Sequence, residues 1–169
     1  MFFLKYLERE MKIHPSFFAS NVNEILTGQL FQEMEGSCNG EYYIVCILDI
    51  YNITAGKVRP GSGEAFFTIL YRAILWKPFK GETIDCAVHS VKAQGVWADA
   101  GPLTVFVSTM HLPPGMRFNP DATPPQFSNN SGDVIEKGSA IRVNIMGLRS
   151  DVTKMYAIGK MSKQWFGPA

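Results

Sequence analysis

Residues 64–82 read EAFFTILYRAILWKPFKGE, and this stretch decides how the chain divides. Glu64 to Trp76 has the aromatic and β-branched content of a strand, and Lys77-Pro78-Phe79-Lys80-Gly81 then sets Pro and Gly between two apolar stretches. A chain of 169 residues has room for one or two compact domains, so the punctuation is read as a boundary, with residues 1–80 and 81–169 folding separately.

Upstream of the junction, Phe2-Phe3-Leu4 opens an imperfect alternation through Tyr6, Leu7, Met11 and Ile13 that fits a half-buried strand, and His14-Pro15 ends it. Asn21 with Glu24 has the spacing of a capping box. Val22, Ile25, Leu26, Leu30 and Met34 follow at helical spacing as far as Gly36. The run YYIVCILDIY, Tyr42 to Tyr51, is almost continuously apolar and predicts a central strand covered on both sides. Ala55 to Gly63, AGKVRPGSG, supplies turn chemistry.

Downstream, short strands are expected at Thr83–Val91, Val96–Ala100, Leu103–Val107, Ala140–Leu148 and Met155–Lys160, which read together as a small five-stranded barrel. The long gap before the fourth holds Pro113, Pro114, Pro120, Pro124 and Pro125, followed by Ser128-Asn129-Asn130-Ser131. This predicts a polyproline-like loop with a flexible tip. The fold class expected is α+β, mostly β.

Composition narrows the function. With 46% hydrophobic residues and only 18% charged, against an average of about 25%, the chain is not disordered, and a partner could supply part of its burial. No apolar run approaches the roughly 18 residues of a membrane span, and Lys5, Glu8, Arg9, Glu10 and Lys12 interrupt the opening segment. Neither a signal peptide nor an anchor is expected. Three cysteines, Cys38, Cys46 and Cys86, suit a reducing compartment, and with His14, His89 and His111 they form no metal-ligand spacing. No metal and no cofactor is expected. No catalytic constellation stands out either. Gly61-Ser62-Gly63 lacks the G-K-[ST] of a phosphate loop, Ser108 and His111 lack an orienting carboxylate, and Glu33 and Glu35, two apart on a helix, do not face each other.

Binding chemistry reads better. Arg142, Arg149, Lys154, Lys160 and Lys163 stand against Asp151 alone between residues 139 and 163, a basic hairpin on a protein of net charge +1. Trp97 and Tyr156 offer faces on which bases can stack. The competing structural reading makes Trp97 partly core and the cations a solvated strand edge.

One further pattern spans the chain. MFFLKYL at the start, HPSFF, EGSC, PGSGEA, YRAILWKPFKGE, GPLTVFVS, IRVNIMGLRSD and AIGKM resemble the seventh-subunit family of eukaryotic RNA polymerase II, whose archaeal counterpart is the polymerase E subunit. The resemblance implies an N-terminal truncated ribonucleoprotein-like domain followed by a five-stranded OB-fold barrel. It also implies a non-catalytic stalk subunit in the nucleus, paired with the fourth subunit, docked on the polymerase core near the RNA exit channel and meeting single-stranded nascent RNA, with no membrane contact. The positions matching the core contact are His14, Pro15, Gly56, Arg59, Pro60, Gly61 and Gly63. Ser108 matches a position where related RNA-binding barrels carry a histidine that touches RNA, and Lys163-Gln164-Trp165-Phe166 replaces an acidic tail. The alternative is a free single-stranded-RNA-binding module acting in translation or RNA handling.

Overall fold

The computed structural model describes residues 1–18 and 21–161. It divides into two compact units, Met1–Lys77 and the chain from Pro78 onward.

The first unit is an antiparallel sheet with one helix. Its elements are β1 (Phe2–Ile13), α1 (Val22–Met34), β2 (Tyr43–Ile53), β3 (Lys57–Val58) and β4 (Ala65–Trp76), in the order β1-β4-β2 with β3 also pairing β4. Strand β4 is therefore central, because its alternation buries Ala65, Ile69, Tyr71, Ala73 and Leu75 on one face while it hydrogen-bonds a strand on either side. The helix covers only that face: Leu26 and Leu30 are fully buried against Met11, Ile13, Ile44, Ile47, Ile69, Tyr71, Ala73 and Leu75. Asn21 is the N-cap residue, yet its side chain makes no capping hydrogen bond, so the expected capping box does not form. At the other end Gly36 adopts φ 76°, the left-handed conformation that closes a helix cheaply only at glycine. Its N–H donates to the Ile44 carbonyl at 2.8 Å, and Ile47 N–H donates to Glu35 Oε1 at 2.9 Å, which ties the helix end to β2.

Strand β2 departs from expectation. It lies at the sheet edge, carries three bulges against β4, and leaves Val45, Leu48 and Tyr51 45–54% exposed. A unit with a single helix can cover one sheet face, so a strand apolar on both faces ends with one of them open.

The second unit contains β5 (Thr83–Lys92), β6 (Gly95–Ala100), β7 (Leu103–Ser108), β8 (Arg117–Asn119), β9 (Gln126–Ser128), β10 (Val134–Ile135), β11 (Ala140–Ser150) and β12 (Met155–Lys160). Strands β11-β12-β7-β6-β5 close into a barrel, with β12 and β7 parallel and the other neighbours antiparallel. This is the five-stranded OB-fold barrel. Val88, Val96, Ala98, Leu103, Val105, Val107, Val143 and Ile145 fill its interior by strict alternation. Gly159 belongs to that packing: a Cβ there would stand 2.1 Å from Val143 Cγ1, so no side chain fits.

The segment between β7 and β11 differs from the polyproline-like loop expected. It builds a three-stranded sheet, β10-β9-β8, closed by the Phe118–Phe127 ring pair at 5.3 Å and by the buried Phe127 and Ile135. Hydrogen bonds also cross its tip. Asn129 Oδ1 accepts from the N–H groups of Ser131 and Asp133, both at 2.9 Å, and Asn129 Nδ2 donates to Asp133 Oδ2 at 2.8 Å.

Candidate nucleic-acid interface

With Leu103, Val105 and Val107 turned inward, Thr104, Phe106 and Ser108 of β7 must face outward, and the register extends that face across the barrel. Ser90, Trp97, Phe106 and Ile158 form one transverse row on β5, β6, β7 and β12. Asp99, Thr104, Tyr156 and Arg149 form the next, the last two on β12 and β11. Beyond the first row on the other side, Lys92 pairs with Gly95 and Gly95 with Ser108, while Lys160 ends β12 beside Asn144. Trp97, Ser108, Arg149, Tyr156 and Lys160 therefore share one face.

The Trp97 and Phe106 rings lie 4.6 Å apart at 40°, so Phe106 supports the indole from the neighbouring strand. Tyr156 is exposed. Ser108 Oγ accepts from Met110 N–H at 3.4 Å and caps the short 3-10 turn Thr109–His111. Over β5, β6 and β7 lies an open cavity of about 260 Å³ that includes Trp97, Asp99 and Lys92 in its wall.

The cations are not equivalent. Arg142 sits at the β11–β5 seam opposite Asp85, with Nε donating to Oδ1 at 2.5 Å and Nη2 to Oδ2 at 3.0 Å. That fork holds the Asp85 carboxyl below its usual range, through the hydrogen bond from Arg142, and raises Arg142 in turn. Its charge is largely compensated. Arg149, Lys154 and Lys160 are exposed, with Lys154 in the turn between β11 and β12. Lys163, Trp165 and Phe166 lie outside the described residues. Sequence reasoning missed His89, Lys92, Asp99, Thr104 and Phe106; alternation within LTVFVS was the available signal for the last two.

Two other surfaces belong to the first unit. At one end the His14-Pro15 turn and the Gly56–Gly63 loop lie side by side, since a Cβ on Gly63 would reach within 3.3 Å of the Pro15 ring. The loop is closed by Arg59 N–H donating to the Glu64 carbonyl at 2.9 Å and by a Lys12–Glu64 ion pair at 3.7 Å. Phe17, Phe18 and Val58 are exposed at this end, an apolar rim beside the positions that the resemblance matched to the core contact.

The second surface is the sheet face opposite α1. Register stacks it in rows: Phe2, Trp76 and Tyr43; Leu4, Ile74 and Cys46; Tyr6, Arg72 and Asp49. Phe2, Leu4 and Tyr6 are more than half exposed. Near its centre Arg72 is ion-paired to Asp49 and lies 5.7 Å from the centre of the Tyr51 ring. The Tyr6 and Tyr51 hydroxyls share a hydrogen bond of 3.4 Å, which lowers the pKa of Tyr6 and raises that of Tyr51.

Comparison with known proteins bears on both units. The SHS2 domain found in the N terminus of Rpb7p, Rpc25p and MJ0397 matches residues 8–63. The chain is 44% identical over 169 residues to DNA-directed RNA polymerase II subunit rpb7 of Schizosaccharomyces pombe, covering 98% of both chains. It is 41% identical over 170 residues to subunit RPB7 of Saccharomyces cerevisiae, covering 99% of both. With subunit rpb7 of Dictyostelium discoideum the identity is 39% over 169 residues, covering 99% of this chain and 98% of that one.

Proposed function

Because the chain belongs to the family of the seventh subunit of DNA-directed RNA polymerase II, we propose that it serves that enzyme as a non-catalytic stalk subunit in the nucleus. The observation that carries the reading is the extent of the likeness: it runs through both units at 44% identity, so sheet unit and barrel are inherited together. In this reading residues 1–80 are the tip domain and residues 81–169 the RNA-binding barrel. The turns holding His14, Pro15, Gly56, Arg59, Pro60, Gly61 and Gly63 dock on the polymerase core near the RNA exit channel. The stalk supports initiation and clamp closure, and the barrel face around Trp97 and Tyr156 meets the nascent transcript.

The fourth subunit takes the open sheet face. A stable interface needs about 800 Å² from each partner, with apolar residues at its centre and few charges. The rows from Phe2 to Tyr43 and from Leu4 to Cys46 have that character, and the Arg72–Asp49 pair with its two tyrosines adds a polar centre that fixes register.

Affinity purification of the native tagged protein tests the reading. Recovery of RNA polymerase II, with the fourth subunit still bound after the core is stripped by salt, is expected. Recovery of ribosomes and no polymerase would instead support the free RNA-binding module.

A further inference from the structure

We propose that the cavity on the outer face of β5, β6 and β7 is a nucleobase subsite that selects guanine, with Trp97 stacking the ring and Asp99 reading its Watson–Crick edge. The proposal rests on the RNA-binding reading above and adds a specificity to it.

The cavity holds about 260 Å³, room for a single base, and His89, Ser90, Lys92, Trp97, Asp99 and Thr104 line it. Phe106 at 4.6 Å fixes the plane of Trp97, which makes the indole a preformed platform. Asp99 lies two residues further along the same strand, so its carboxylate points to the same side, roughly 7 Å away along β6. A base on the indole therefore brings its edge, not its face, to Asp99.

Thr104 Oγ1 donates to Asp99 Oδ1 at 3.1 Å, which orients the carboxylate and leaves acceptor sites on both oxygens. An ionised carboxylate only accepts. Guanine presents two adjacent donors on its Watson–Crick edge, N1–H and the N2 amino group, a match for the two oxygens. Uracil presents N3–H between two carbonyl oxygens, which the carboxylate repels. Adenine and cytosine each offer one amino group beside a ring lone pair, so they rank between.

The alternative is that Asp99 only serves its cross-strand bond to Thr104. Asp99→Asn separates the two, because the amide oxygen still accepts from Thr104 while the amide nitrogen removes one acceptor from the edge. Fluorescence anisotropy on the full chain, at one fixed salt concentration, would use uridine oligomers of about twelve nucleotides bearing either no substitution, one central guanosine or one central inosine. Guanosine is expected to bind about tenfold tighter than uridine alone, the scale of one good two-point contact. Inosine, which lacks the N2 amino group, should fall between. Asp99→Asn should erase the guanosine advantage without weakening the uridine oligomer, and Trp97→Ala should weaken all three alike. Equal affinity of the wild-type protein for all three oligomers would overturn the guanine subsite and leave RNA binding standing. Binding to none of them would remove the RNA-binding reading, and the subsite with it.

Discussion

At the scale of single residues, the Asp85–Arg142 fork makes two predictions. Arg142 keeps the Asp85 carboxyl ionised below the ordinary carboxylate value of 3.8. The unfolded chain therefore takes up this proton first as pH falls, and the stabilisation is present above about pH 5 and is lost as pH falls through the lowered folded-state value. Thermal melts of wild type and Asp85→Asn across that range should converge at the acid end and separate at neutral pH, with wild type the more stable. The same pairing governs RNA binding. If Arg149, Lys154 and Lys160 are the free cations, affinity for single-stranded RNA should fall with salt at a log–log slope near about −2, from roughly −0.7 for each phosphate neutralised. Removing each of the three should shallow the slope by one such step, whereas replacing Arg142 and Asp85 together by Ala should leave it unchanged. Trp97→Ala should cost about 1–3 kcal/mol at constant slope, because stacking releases no counterions. The aromatic faces and the basic hairpin were legible as residues, but the partner that compensates Arg142 was not. Asp85 is on a distant strand, and only barrel closure brings the two together.

Among the elements, the five barrel strands were readable because each is short, alternating and bounded by turns, so local pattern and final burial coincide. Two elements were not. In the β7–β11 insertion the prolines dominate the composition, and the signal that counted was sparse: Phe118, Phe127 and Ile135, spaced so that three short strands bring them together. Phe127→Ala tests that description. A ring only 2% exposed should cost about 3–5 kcal/mol in urea unfolding when truncated, where a solvated polyproline-like loop would lose almost nothing. Strand β2 failed differently. Its continuous apolar run states that both faces avoid water, but it says nothing of whether the cover comes from the same chain. Among the described residues only one α-helix is available, and α1 covers the face formed by Ile44 and Ile47.

For the whole molecule the consequence of that open face is association. Phe2, Leu4, Tyr6, Val45, Leu48, Tyr51 and Leu70 are exposed in a chain with only 18% charged residues, and monomeric proteins seldom leave contiguous apolar patches of this kind in water. The full chain alone should therefore self-associate as its concentration rises, and the fourth polymerase subunit should return it to a defined heterodimer with a raised melting temperature. Charge placed within the face should act in two ways at once. Leu4→Lys with Leu70→Glu should make the chain monomeric, because the face becomes soluble, and should abolish pairing, because each charge would have to be buried without a partner in the complex. Val134→Lys, at an exposed apolar position in the second unit, should do neither. Light scattering of the chain alone and a pull-down with the fourth subunit read the two effects separately. A wild-type chain that stays monodisperse at high concentration, and gains no stability when the fourth subunit is added, would show that the open face is an ordinary sheet surface and that the heterodimer contact lies elsewhere.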